Sequence, residues 1–227
     1  MIVVGLGRGK SHIRTITSLP EQFELVGVVD LNNEILNKVL EEFSLPESLG
    51  FASYDDALEQ SSCDGVVIAT WARSHEPLVE QALMADKHVL VEKPITTVVS
   101  EAEELIELAE SRNRVLMVGH VFQYNATILA LKELIANGDL GDINYLSLER
   151  TNLGPVRTDV NALWDLVSHD AYIMMDLLDA FPSAVSALGQ AYLNPSVEDV
   201  VFATFTFDGG VMAHVHASWL NPRKVRQ

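Results

Sequence analysis

What this chain of 227 residues has little of already narrows its roles. It carries one cysteine, Cys63, so no intramolecular disulfide can form. That scarcity suits a cytoplasmic chain held by its core, with Cys63 as small buried packing rather than a nucleophile. Basic residues are also scarce: 15 against 32 acidic ones leave a formal charge of −17. Such a balance repels phosphate backbones and anionic lipid, so neither nucleic acid nor a membrane surface is expected as a partner. The apolar runs are too short to span a bilayer, and no charged-then-apolar leader opens the chain. Charged residues at 21% and hydrophobic ones at 48% imply a packed core rather than disorder. The length suits one large domain or two small ones.

What is present has an order. Met1 to Val4, Leu25 to Val29, Gly65 to Ala69, His88 to Val91 and Val115 to Val118 are short runs rich in Val, Ile and Leu. Continuous apolar runs suit strands buried on both faces of a parallel sheet. Amphipathic stretches lie between them, at Asn33 to Phe43, Glu76 to Ala85 and Glu101 to Arg112. Ser100 and Glu103 have the spacing of a capping box before the last. Repeated strand–helix alternation predicts an α/β fold, a Rossmann-type doubly wound sheet over residues 1–120. Beyond Gly119 the pattern changes. Asn125 to Asn137 reads as a helix closed by Gly138, and Ile143 to Arg150, Val200 to Phe207 and Val211 to Trp219 have the twofold period of strands. Asp208-Gly209-Gly210 marks a hairpin, and a helix is expected from about His169 to Leu178. Residues 121–227 therefore read as an α+β domain on an open, mostly antiparallel sheet. Its last apolar strand is followed directly by a basic tail, an edge that needs cover.

Gly5-Leu6-Gly7-Arg8-Gly9 follows the first strand and opens a helix. Glycines there let the backbone turn and approach a pyrophosphate, whose charge meets free amides at the helix start. The spacing is one residue shorter than the usual G-x-G-x-x-G. Arg8, Lys10 and Arg14 concentrate positive charge at the same place. Asp30 ends the second strand 21 residues after Gly9, where an acid holds the ribose hydroxyls of NAD and repels the extra phosphate of NADP. A tight turn with a capping Asp explains the same residues without a ligand. Glu92-Lys93-Pro94 ends the fourth strand, at the sheet edge where ligands bind. A desolvated Lys93 can donate a proton or hold an alkoxide, and a solvated lysine before a turn is the plainer alternative. Asp165 and His169 stand at i and i+4 next to Trp164 and Asp170. On a helix the acid could orient the imidazole as a general base, or the acids could simply cap. His214 and His216 share one strand face, a polar surface rather than a metal site, for which no third ligand suggests itself. His12 and His75 fall at or near predicted helix starts, as cofactor contacts or caps.

In combination these residues resemble the Gfo/Idh/MocA oxidoreductases. Gly5-x-Gly7 with His12 is similar to the family's opening motif, and Ala69-Thr70 followed by His75 to its A-T-P-x-x-x-H segment, with Trp71 in place of proline. Glu92-Lys93-Pro94 and Asp165-x-x-x-His169 match its other two. The resemblance implies NAD, with NADP the weaker alternative, held by Gly5, Leu6, Gly7, Arg8, Gly9, Asp30, Thr70, His75, Glu92, Lys93 and Trp164. It implies Lys93, His169 and Asp165 as catalytic residues, with Gln123, Arg157 and Asn161 joining them around a sugar substrate. The stretch from Arg150 through Pro155 and Arg157 to Asn161, with Trp164-Asp165-Leu166, resembles the branch that oxidises the 3-hydroxyl of UDP-N-acetylhexosamines or their uronic acids in polysaccharide biosynthesis. It further implies a homo-oligomer formed through the second sheet, and a second domain incomplete at its C-terminus. The expected activity is thus hydride transfer from a sugar or nucleotide-sugar hydroxyl to NAD. The alternatives are an inactive NAD-binding relative that needs a partner, and an NADP-linked sugar or cyclitol dehydrogenase.

Overall fold

The computed structural model describes residues 1–154, 156–158 and 160–227. The chain divides into two compact units, Met1–Gly119 and His120–Gln227. In the first, six parallel strands run β1 (Ile2–Val4), β2 (Gly27–Val29), β3 (Gly50–Phe51), β4 (Gly65–Ile68), β5 (His88–Val91) and β6 (Leu116–Val118). Between them come α1 (Leu6–Ser18), α2 (Asn33–Glu42), α3 (Tyr54–Gln60), α4 (His75–Met84) and α5 (Val99–Ser111). The spatial order β3-β2-β1-β4-β5-β6 reverses between β1 and β4, which opens a crevice beyond their C-terminal ends. Both sheet faces are covered. Ile2, Val4 and Ile68 pack with Val79 and Leu83 of α4, while Val3, Val28 and Val67 pack with Ile13 of α1 and Val39 of α2. Strands buried on both sides need the unbroken apolar runs that the sequence contains.

Two local expectations fail here. The sixth strand, β3, is only two residues long, too short for any period to register. The Ser100 capping box does not form, because α5 already begins at Val99 with Val98 as its uncapped N-terminal neighbour. The Thr96 hydroxyl turns the chain instead, donating to the Val98 carbonyl at 2.6 Å and accepting from the Val98 amide at 3.2 Å. Ser100 therefore sits inside the first turn rather than ahead of it.

The second unit opens with α6 (Ala126–Ala136), where the Asn125 side chain accepts from the amides of Thr127 and Ile128 and Gly138 closes the far end at φ 76°. There follow β7 (Tyr145–Leu153), a π-helical segment (Leu163–Val167), α7 (Ser168–Leu178), β8 (Ala184–Gln190), β9 (Val200–Thr206), β10 (Met212–Ser218) and β11 (Leu220–Arg226). The sheet order is β11-β7-β10-β9-β8. All pairs are antiparallel except β7 with β10, which the intervening elements leave parallel. Val201, Ala203 and Phe205 of β9 and Ala213, Val215 and Ala217 of β10 point inward onto Leu166, Val167 and Met174. The last apolar strand is not an edge, as the sequence suggested. It lies between β7 and β9, and the basic tail itself forms β11 on the far side of β7. Pro222 and three charges disguise that strand, and an edge position is where a strand tolerates proline. Among the described residues no helix is long and apolar enough to cross a membrane.

Candidate functional site

The first unit's glycine turn follows from space as much as from flexibility. Gly5 leaves β1 at φ 87°, and a Cβ there would lie 2.9 Å from both the carbonyl carbon and oxygen of Ala69. Only glycine fits where β1 turns beside the end of β4. Because the turn is short, α1 starts at once, at Leu6. A Cβ on Gly9 would stand 2.8 Å from Val3 Cγ1, so the helix lies tight against the sheet, whereas one on Gly7 would meet nothing within 4 Å. Asp30, just past β2, holds this start in place. One carboxylate oxygen accepts from the Leu6 amide and the other from the Asn32 amide, each at 2.9 Å. Each oxygen keeps a further lone pair for a ligand hydroxyl. An open Gly7 surface at a helix N-terminus, with an acid beside it, fits the pyrophosphate and ribose of a dinucleotide. The basic cluster is largely committed elsewhere. Lys10 pairs with Glu42 at 2.5 Å, and Arg14 reaches the same carboxylate at 4.0 Å while lying 5.7 Å over the Phe43 ring. Arg8 alone stays by the crevice, 3.7 Å from Glu92 and largely exposed.

Glu92, just beyond β5, is nearly buried and meets His12 Nε2 at 2.9 Å. His12 is in the interior of α1 rather than near its start. Burial pushes the Glu92 carboxyl up, but the His12 hydrogen bond and the charges of Arg8, His12 and Lys93 outweigh it and hold the group below its ordinary range. Lys93 is half-buried beside it. Thr70, after β4, accepts from the Ser74 hydroxyl at 2.8 Å, and Trp71 is exposed. His75, expected as a cofactor contact or a cap, lies in the interior. It is 1% exposed, with Nδ1 at 2.7 Å from the Pro94 carbonyl and Nε2 at 3.2 Å from the Thr70 carbonyl. It is a buried strap between the strand ends that carry Thr70 and Lys93.

In the second unit Asp165 belongs to the π-helical segment, Leu163–Val167, and His169 to α7, which follows it directly. The Asp165 carboxylate accepts from Arg157 Nη1 and from Trp219 Nε1, both at 3.1 Å. Asn161 supports the segment, accepting from the Trp164 amide at 3.1 Å and donating to Glu198 at 2.8 Å, which holds the Glu198 carboxyl below its usual range. Gln123 lies exposed in a 3₁₀ turn, Val121–Tyr124. Trp164 lines an apolar hollow with Leu163, Val167 and Ser168. His169 is half-buried on α7, its ring edge-to-face with Phe122 at 5.0 Å and 69°. Sequence reasoning missed the contacts behind it: Arg150 bonds Asp170, and its guanidinium lies over Phe122. Of the stretch that carried the branch resemblance, Pro155 lies outside the described residues. The described residues include no cluster of three or more His, Cys, Asp or Glu side chains able to hold a metal.

A parallel sheet with a glycine turn at its switch point and an acid after the neighbouring strand defines a dinucleotide-binding Rossmann unit, here followed by an α+β unit. The chain belongs to the Gfo/Idh/MocA oxidoreductase family: residues 1–120 match its NAD-binding Rossmann fold and residues 128–227 its C-terminal domain. It is 31% identical to a UDP-N-acetylglucosamine 3-dehydrogenase of Acidithiobacillus ferrooxidans, over 95% of this chain and 66% of that protein. A crystal form of that enzyme superposes with a TM-score of 0.83, covering 99% of this chain and 71% of the other at 30% identity. GenD2 from gentamicin A biosynthesis, in complex with NAD, gives 0.90 at 28% identity, over 98% of this chain and 66% of the other. An inositol 2-dehydrogenase of Serratia proteamaculans is 27% identical over 78% of this chain and 53% of its own length. The chain thus spans about two thirds or less of the curated relatives it matches.

Proposed function

We propose that this chain is a dehydrogenase that oxidises a hydroxyl of a sugar or nucleotide sugar, of the UDP-N-acetylhexosamine or uronate kind, with NAD as acceptor. The observation that carries this reading is the Gly5–Gly9 turn clamped to Asp30 at the switch point, in a chain similar to a UDP-N-acetylglucosamine 3-dehydrogenase. Gly5, Leu6, Gly7, Arg8, Gly9 and Asp30 would hold the dinucleotide, with Thr70, Glu92, Lys93 and Trp164 completing its contacts. When bound, NAD supplies the acceptor for the hydride leaving the carbinol carbon. His169 takes the hydroxyl proton, and Lys93 holds the negative charge that develops on that oxygen, an electrostatic role worth several kcal/mol at comparable sites. Asp165, fixed by Arg157 and Trp219, orients the substrate with Gln123 and Asn161. Asp30 favours NAD over NADP, since a 2′-phosphate would meet its carboxylate.

Lys93→Ala and His169→Ala should each cut turnover of a UDP-sugar by about 100-fold or more while leaving NADH affinity, followed by fluorescence, nearly intact. Full turnover in either variant would overturn the assignment, and tighter NADPH than NADH binding would overturn the cofactor preference. The alternative outcome is an NAD-binding protein without turnover. It predicts saturable NADH binding that no UDP-sugar perturbs. The chain would self-associate through the outward face of its second sheet, where Leu188 and Phe202 are exposed.

A further inference from the structure

The most tightly built polar group of the second unit has no part in the chemistry above. Arg150 of β7 is 7% exposed and Asp170 of α7 is 2% exposed. The guanidinium donates through Nε at 2.9 Å and Nη2 at 2.6 Å to one carboxylate oxygen, Oδ1. The other oxygen, Oδ2, is buried with no hydrogen-bond partner among the described residues. Burial lifts the Asp170 carboxyl above its ordinary range, against the hydrogen bond and charge of Arg150 and the charge of Arg226. A buried ion pair is a poor device for stability, because desolvation offsets most of its attraction. Its second contact gives it a direction. The Arg150 guanidinium carbon lies 4.7 Å from the centre of the Phe122 ring, and the same ring meets the His169 imidazole edge-to-face at 5.0 Å. His169 is thus tied to the pair twice, through the peptide bond to its neighbour Asp170 and through Phe122.

We propose that Arg150, Asp170 and Phe122 form a positioning unit that sets the orientation and the proton affinity of the His169 imidazole. The proposal rests on the reading of His169 as the proton acceptor. The unit draws on separate elements: Arg150 on β7, Phe122 in the 3₁₀ turn, Asp170 on α7. Charged and titratable groups around it among the described residues include Arg226 on β11, which acts on Arg150 and Asp170, Asp165 with Arg157 at the π-helical segment, and Tyr172 of α7 with His120 stacked on it at 4.6 Å. With Asp170 ionised, the guanidinium's charge is cancelled close to its source. Without that carboxylate the cation faces the imidazole through the ring alone, which disfavours imidazolium.

The test titrates His169 by NMR in the full chain carrying labelled histidine, its resonance identified by its loss in His169→Asn. Asp170→Asn keeps the shape and one acceptor while removing the charge. The His169 pKa should fall by about half a unit or more, and the acid limb of the kcat pH profile should move down with it. Phe122→Leu leaves the ion pair intact. It should lower kcat about tenfold with the KM for NAD unchanged, remove the ring-current shift on His169, and be rescued by Phe122→Tyr. An unmoved His169 pKa in Asp170→Asn, or an unchanged kcat in Phe122→Leu, overturns the proposal. Should Asp170→Asn not fold, Phe122→Leu decides by its resonance shift and kcat. Turnover that survives in His169→Asn overturns the assigned chemistry instead, while the NMR shifts still uphold the positioning unit.

Discussion

Replacing Gly7 with alanine adds a methyl that meets no atom within 4 Å, at a helical position where alanine is the better former. The Gly7→Ala protein should therefore unfold at equal or higher urea, gaining up to about 1 kcal/mol, yet bind NADH at least about tenfold more weakly because the methyl fills the pyrophosphate approach. Gly5→Ala should lose both properties: its Cβ collides with Ala69 and its φ of 87° strains any other residue, at a cost of about 1–3 kcal/mol. Parallel urea and NADH titrations separate the two outcomes. Glu92 gives a pH dependence of determinable sign. Its folded pKa is depressed below the ordinary value for a glutamate, so its contribution is present above that ordinary value and is lost as pH falls through the folded one. Glu92→Gln should then show a shallower acid limb in stability, measured by urea unfolding between neutral and acid pH, with the difference from wild type shrinking at the acid end. At this scale the sequence revealed what is local. The glycines, Asp30 and Lys93 sit beside strand ends that apolar runs announce. The Arg150–Asp170 pair, twenty residues apart, has no local signature. Nor does the bond from buried His75 to the Pro94 carbonyl, nineteen residues away, have one.

Among the elements, legibility followed length and period. The unbroken apolar strands and the longer amphipathic helices of the first unit were readable, because buried parallel strands and one-sided helices impose distinct patterns. Five elements were not, among them the short helix α3 and the strand β8, exposed along its whole length. β3 is two residues long, β11 contains Pro222, and the segment Leu163–Val167 has the apolar content of an α-helix but π-helical bonding. Asn161 steadies that segment from both ends of its amide. Asn161→Ala should lower stability by about 1–2 kcal/mol through loss of the Trp164 cap and the Glu198 bond, seen as a lower thermal midpoint.

For the molecule as a whole, a charge of −17 opposes association at low salt. Self-association through the outward sheet face should accordingly strengthen as salt is raised, and Leu188→Lys should abolish it, both measured by sedimentation velocity. A chain cut after Trp219 loses β11 and leaves the β7 backbone without its outer neighbour, so its soluble yield should fall and aggregates should appear in the same sedimentation profile. The position of β7 also has a meaning in time. Both of its neighbours are made later, from residues 212–226, whereas the first unit is covalently complete at Gly119. A ribosome adding about 5–20 residues per second delivers those neighbours seconds after β7 has emerged. During that interval the earlier unit can already be folded, while a nine-residue strand waits beside the exit tunnel with both backbone edges bare. Translation speed over the codons between β7 and β11, and holdase chaperones at the ribosome, therefore bear on the yield of the second unit far more than on that of the first.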